Sequence, residues 1–146
     1  MTKLKLALEP RPISTWGITL ASRLPPGVWD TVRRKVFRAA NFTCEICSED
    51  AQQLHCHEEW DFNERKKVQQ LVALRCVCKT CHDVIHFGRS KHVYNKTYVE
   101  ALIQHWCKVN KKTRSDFERH LEETHRISKR RANKQYVVVA GDMILT

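Results

Sequence analysis

The stretch from Cys44 to His86 constrains this chain more than any other. It opens with Cys44-Glu45-Ile46-Cys47 and passes through Leu54-His55-Cys56-His57-Glu58-Glu59-Trp60. It closes with Cys78-Lys79-Thr80-Cys81-His82-Asp83-Val84-Ile85-His86. Two cysteines separated by two residues can present both sulfurs to one ion, and two such pairs complete the closed tetrahedral shell of a structural zinc site. Cys44, Cys47, Cys78 and Cys81 are therefore the expected ligands of one Zn²⁺. The metal-free alternative is that these cysteines pack as small apolar side chains. A finger of about forty residues buries too little apolar surface to stand alone, which favours the metal.

His82 and His86 stand four apart, so a helix places them one turn apart on one face. Two imidazoles beside a site already supplied with four sulfurs suggest a second, open metal site. The alternative is that His82 replaces a cysteine in the first site and His86 is surface decoration, since histidine is a zinc ligand in either arrangement. Phe87-Gly88 is expected to end this helix, with Gly88 as a left-handed cap.

The chain has 146 residues, enough for one domain or a small domain with arms, and its 42% hydrophobic content is adequate for a core. No apolar run reaches the length of a membrane span, and Met1-Thr2-Lys3-Leu4-Lys5 lacks the apolar region of a signal peptide. An odd number of cysteines, seven, fits reduced thiols holding metal in a cytoplasm, the expected location. The net charge of +10 is unevenly spread: residues 1–40 carry eight basic against two acidic side chains, and residues 108–134 carry ten against four. Residues 41–107 are near neutral, with eight against nine. Basic flanks around a neutral centre suit a phosphate backbone held against a site that still has room for cations. The bland alternative is a solvated basic surface.

Three segments follow from composition: an N-terminal arm (1–27), a finger with its preceding helix (28–95), and a helical C-terminal region ending in a short strand (96–146). Pro10 and Pro12 interrupt the arm, where no periodicity is apparent. After the breakers Leu24-Pro25-Pro26-Gly27, the spacing of Trp29, Val32, Val36, Phe37 and Ala40 predicts a helix from about Val28 to Ala40. A zinc knuckle is expected over Thr43 to Asp50. Leu54 to Trp60 and Lys67 to Val77 read as two strands joined by a turn at Asp61 to Lys66. Further helices are predicted over Thr97 to Val109 and Arg114 to Ala132, the latter with a thin apolar stripe of Phe117, Leu121 and Ile127. Tyr136 to Ala140 reads as a short strand. Cys76 and Cys107 are read as free thiols.

The order CxxC, a His-bearing strand, then CxxCHxxxH resembles the HNH endonucleases of the ββα-metal (His-Me finger) group. The likeness is closest to a subgroup from bacterial and phage genomes. Its shared positions read here as Trp16-Gly17, Trp29 to Arg33, Cys44 to Cys47, Cys56 to Trp60, Gln70-Leu71 and Cys78 to Gly88. The resemblance implies an α+β fold: a zinc-stapled ββα-metal finger with flanking helices and basic arms. It also implies hydrolysis of DNA phosphodiester bonds, leaving 5′-phosphate and 3′-hydroxyl ends.

That chemistry needs a base for the attacking water and a cation at the leaving oxygen. His57 matches the family's base, and a neutral imidazole suits the task. His82 and His86 would hold the catalytic divalent cation, whether Mg²⁺, Mn²⁺, Ni²⁺ or Zn²⁺. Glu58, which follows the base and matches the subgroup, is the expected third ligand, although it shares a site with His57 only if the strand bends; His55, which shares the face of His57, is the second candidate. Arg33, Arg34, Arg38, Arg130 and Arg131 are the expected nucleic-acid contacts, and duplex DNA the expected partner. A cut through both strands would call for a homodimer, with the stripe after Arg114 as a pairing surface. One position departs from the family: Ala73 stands where it has the Asn that braces the base, with Gln69 and Gln70 as nearby substitutes. A second reading is therefore a catalytically inactive zinc finger that binds DNA as a regulator, or a phage-type inhibitor of a host factor.

Overall fold

The computed structural model describes residues 3–49 and 53–146. Asp50, the last residue of the expected knuckle, lies outside them. Among the described residues the architecture is mixed, with six α-helices and one four-stranded sheet. After a single 3₁₀ turn at Ile13–Thr15 come α1 (Leu20–Arg23) and α2 (Pro26–Ala39). The hairpin strands β1 (Leu54–Asn63) and β2 (Val68–Cys78) follow, then α3 (Lys79–Ile85), α4 (Phe87–Val93), α5 (Lys96–Asn110) and α6 (Arg114–Ala132). The chain ends with β3 (Val137–Ala140) and β4 (Met143–Ile144).

Local chemistry accounts for most of these boundaries. Pro26 sits in the first turn of α2, where its missing N–H is harmless, and Asn41 and Phe42 leave that helix at positive φ. Asn95 caps α5 by accepting from the Tyr98 amide. Thr113 and Asp116 form a reciprocal capping box on α6, which starts and ends where its periodicity places it. The β1–β2 hairpin runs longer than expected: β1 continues through Asp61 and Phe62 to Asn63. The turn spans Glu64 to Lys67, with Lys67 at φ 55° and the Asn63 side chain accepting from the Lys66 amide at 2.9 Å.

The sheet order is β1-β2-β3-β4. The C-terminal strand β3 returns to pair in parallel with the start of β2, Val68 opposite Val137 and Gln70 opposite Val139. The last segment thus completes the sheet of the central one. The N-terminal arm is likewise built in: Leu6 and Leu8 are buried in one core with Val77, Val84, Trp106 and Phe117. Backbone and side chains stitch it down. Asn110 accepts from the Lys5 and Leu6 amides and donates to the Leu6 carbonyl, while the Leu8 amide donates to His120 at 2.9 Å. The core therefore draws on all three segments divided at 27/28 and 95/96.

One expectation about the helices is corrected. Gly88 does not end the histidine-bearing helix, because α4 starts at Phe87 and, among the described residues, the only positive-φ glycine is Gly141. Phe87 is needed in the core, where its ring meets Phe117 at 5.2 Å, and this holds the chain helical past the break at His86. Of the apolar stripe of α6, Phe117 lies against Phe87 and Trp106 and Leu121 borders the same core, while Ile127 is half-buried. Among the described residues, no helix is long and apolar enough to cross a membrane.

Candidate functional site

The four cysteines converge from three elements. Cys44 and Cys47 sit in the tight turn after α2, where Ser48 adopts φ 63° and its amide donates to the Cys44 carbonyl at 2.9 Å. Glu45 locks this turn to the end of β2: its amide donates to the Cys76 carbonyl at 2.8 Å and its carboxylate accepts from the Cys76 amide at 2.5 Å. Cys78 ends β2 and caps α3, its sulfur accepting from the Cys81 amide at 3.4 Å. The sulfurs of Cys44, Cys47, Cys78 and Cys81 all lie within 4.8 Å of one another, and Cys47 and Cys78 are 3.8 Å apart. A tetrahedral shell with Zn–S of about 2.3 Å spaces its sulfurs at about 3.8 Å. All are free thiols, and only Cys47 is appreciably exposed.

Proton sharing in the cluster points the same way. Hydrogen bonds from Cys78 and Cys81 pull the Cys44 thiol far down, while burial pushes Cys47 up to about 11. Four sulfurs this close cannot all ionise unless a cation neutralises them. The cluster is thus suited to a structural zinc ion. His105 on α5 adds a contact at its edge, its Nε2 3.2 Å from the Cys81 sulfur. A histidine beside a thiolate ligand is a typical outer-shell partner.

The second group lies along α3. His57 on β1, His82 on α3 and His86 at the C-cap of α3 bring one nitrogen each to within 4.8 Å of the others. The His82 and His86 rings are 4.6 Å apart, with His57 at 5.8 and 5.5 Å. Burial pushes all three down to about 3; His82, Arg75 and Arg11 reinforce this for His57, and the neighbouring imidazoles do so for the others. Near pH 7 the trio is neutral, with lone pairs free for a cation or a proton. His55 stacks flat on His82 at 4.6 Å and stands outside the trio, and its Nε2 is buried without a partner.

Glu58 is a correction. Strand alternation sends it to the face opposite His57, and β1 does not bend there; its one irregularity falls later, between Glu59 and Trp60. Glu58 borders the same cavity as His57, but its carboxylate is taken up by the amides of Leu20 at 2.7 Å and Ala21 at 3.2 Å, at the half-buried N-terminus of α1. The acidic neighbour of the trio is Glu9. Its Oε2 lies 3.6 Å from His57 Nε2, its Oε1 is buried without a partner, and burial pushes its carboxyl up to about 7 against the pull of Arg11. The Glu9 amide donates to the Ile85 carbonyl at 3.0 Å, which fixes the residue against the end of α3. A sequence signal existed: Leu4, Leu6 and Leu8 alternate, and the chain buries that face. Neither suggested substitute for the missing Asn reaches His57. Gln69 is buried and accepts from Thr15 at 2.7 Å, and Gln70 is exposed.

The basic candidates divide. Arg38 and Arg130 are exposed. Arg33 and Arg34 both pair with Asp30, at 2.6 and 3.0 Å. Arg131 is structural: its side chain is 12% exposed, bridges Glu64 at 2.6 Å, donates to the Pro10 carbonyl at 2.8 Å, and covers the Phe62 ring at 3.9 Å. It is corrected here from a nucleic-acid contact to a clamp. A cavity of about 790 Å³ opens over His57, His82 and His86, walled by the segment around Glu9 to Trp16 on one side and by α4 and α6 on the other.

No protein-family model, curated protein or solved structure matches the chain.

Proposed function

We propose that this chain is a metal-dependent HNH-type endonuclease that hydrolyses DNA phosphodiester bonds, with β1, β2 and α3 as its ββα-metal finger. One observation carries the reading: three imidazoles from a hairpin strand and the following helix converge at the floor of a cavity, beside a four-cysteine cluster. A finger kept only for binding has no use for such an open donor set.

In this reading Cys44, Cys47, Cys78 and Cys81 hold structural Zn²⁺, and His82 and His86 hold a catalytic divalent cation (Mg²⁺, Mn²⁺, Ni²⁺ or Zn²⁺). That cation supplies charge stabilisation at the phosphate and leaving oxygen. His57 takes the proton of the attacking water through a ring nitrogen. Glu9, beside His57 Nε2, offers a carboxylate that steadies the imidazolium formed when the proton arrives, a role the absent Asn cannot fill. Free thiols holding metal suit a reducing, cytoplasmic setting.

The second reading, an inactive DNA-binding finger or an inhibitor of a host factor, draws on Ala73, which puts no polar side chain near His57. Cleavage of supercoiled plasmid separates the two. Wild type should nick DNA with at least one divalent cation, and His57→Ala should lose about 10²–10⁴-fold of that rate. The same variant should keep its zinc content and DNA affinity. His82→Ala and His86→Ala should lose cleavage with partial recovery at high Mn²⁺ or Ni²⁺, and no recovery is expected for His57→Ala. A wild-type protein that binds DNA and cuts with none of the four cations would refute the enzyme reading.

A further inference from the structure

The cavity over the three histidines is the feature that bears on the form of the substrate. His57 is only 7% exposed, so a phosphate reaches it from within the cavity rather than across an open face. At about 790 Å³ the cavity falls in the range that holds small ligands, roughly 300–1,000 Å³. That is room for one or two nucleotides and too little to admit a double helix.

Its walls are of two kinds. Arg89 and Lys91 on α4 and Lys129 on α6 are exposed along one wall, a cationic lining suited to a sugar–phosphate chain. On the other wall Ile13 and Trp16 present apolar surface, and Trp16 is 57% exposed. The Trp16 indole donates to the Arg11 carbonyl at 3.0 Å, which holds its ring in place although the residue is exposed. A fixed aromatic face opposite a row of cations matches an unpaired strand, whose bases can turn away from the backbone and stack. In a duplex those base faces are already stacked on one another and unavailable to Trp16.

Resting on the nuclease reading above, we infer that the strand at the histidine site is unpaired over the nucleotides lying in this groove. The substrate is then single-stranded DNA, or a duplex opened locally, with a base on Trp16 and phosphates along Arg89, Lys91 and Lys129.

The test compares one labelled oligonucleotide as a single strand, as a full duplex, and as a duplex with a short central bubble. The zinc-loaded full chain is used, with Mn²⁺ added. The expected result is cleavage of the single strand and bubble at least about tenfold faster than the duplex, with bubble cuts confined to unpaired positions. Anisotropy should show Trp16→Ala weakening single-strand binding about 5- to 100-fold, the range for one lost base–aromatic stack, with Trp16→Phe retaining most of it. Equal cleavage of duplex and single strand overturns the inference, as does a Trp16→Ala protein that binds both forms equally less well. If no form is cut, the hydrolytic reading falls by itself and binding decides the groove: single-strand preference lost in Trp16→Ala upholds it, and equal affinities overturn it.

Discussion

Arg131 offers the clearest separation of structure from binding. Charge pattern alone makes it a phosphate contact, whereas the fold makes it a clamp joining four segments. Its guanidinium reaches Glu64 in the hairpin turn and the Pro10 carbonyl in the N-terminal segment, and it lies over Phe62 of β1. Tyr136, just before β3, donates to the other Glu64 oxygen at 2.7 Å. Replacing Arg131 by Ala removes two charge-assisted hydrogen bonds, each worth about 1.5–3 kcal/mol where the partner stays buried. Glu64 is 44% exposed and regains water, so that contribution must be discounted. The stacking over Phe62 adds about 0.5–2 kcal/mol. A net loss of about 2–4 kcal/mol follows, a large share of the roughly 5–15 kcal/mol typical of a domain.

Urea denaturation at fixed free zinc should show that loss, together with a fall in Tm of roughly 4–16 °C. Arg131→Lys should recover little, because an ammonium keeps the charge but neither the fork nor the flat face. Arg130→Ala is the contrast: it should leave stability within about 0.5 kcal/mol and lower the salt slope of DNA binding by about one. An Arg131→Ala protein as stable as wild type, with that reduced salt slope, would refute the clamp.

Three further outcomes are expected. Cys47→Ser should release the zinc, whose binding contributes on the order of ten kcal/mol to folding such sites, and amide exchange should then rise through β1, β2 and α3 together; protection retained there without zinc would contradict the cluster's role. Glu58→Gln should leave Ni²⁺ affinity at the histidines unchanged in calorimetry while loosening α1, because its carboxylate binds the Leu20 and Ala21 amides; a tenfold loss of affinity would restore it as a ligand. With the histidine site free of metal, stability should fall by about 2 kcal/mol between pH 6.5 and 5.5. His57, His82 and His86 are pushed down to about 3, so their contribution is present above about 6.5 and lost as the unfolded chain takes up protons below it. Glu9, pushed up to about 7, opposes this by stabilising the fold as pH falls towards its ordinary value. A flat profile would show that the imidazoles are hydrated rather than buried.

What the sequence made legible was local. The helix from Arg114 to Ala132 is written in its capping box and its periodicity, and both act within a few residues. The cysteine spacing was equally readable, because a four-sulfur site imposes strict intervals on the chain. Features that depend on distant segments were not readable. Arg131 looks like any basic residue at the end of a polar helix until Glu64, Phe62 and Pro10 are folded around it. Gly88 looks like a cap because nothing nearby announces that Phe87 must reach Phe117. Glu9 lies more than forty residues from His57, and only the alternation of Leu4, Leu6 and Leu8 hinted that its segment packs as an extended chain.

The two donor groups form one mechanical unit, and this explains why a chain with so small a sheet can hold three histidines in register. Cys78 is both the last residue of β2 and the cap of α3, and it pairs with Leu54 at the start of β1. Fixing its sulfur with those of Cys44, Cys47 and Cys81 therefore sets the hairpin register and the direction of the helix at the same point. Three residues along β1 from Leu54 comes His57; one residue along α3 from Cys81 comes His82, and one turn later His86. The strand irregularity falls only beyond His57, between Glu59 and Trp60, so the stretch that positions the imidazole is regular. Glu9 is then held against the far end of α3 by the Ile85 carbonyl, closing the group from a third direction. Loss of zinc should accordingly disperse the histidines and loosen α5 where His105 meets the Cys81 sulfur, before it melts α6, whose capping box is independent of the sulfurs.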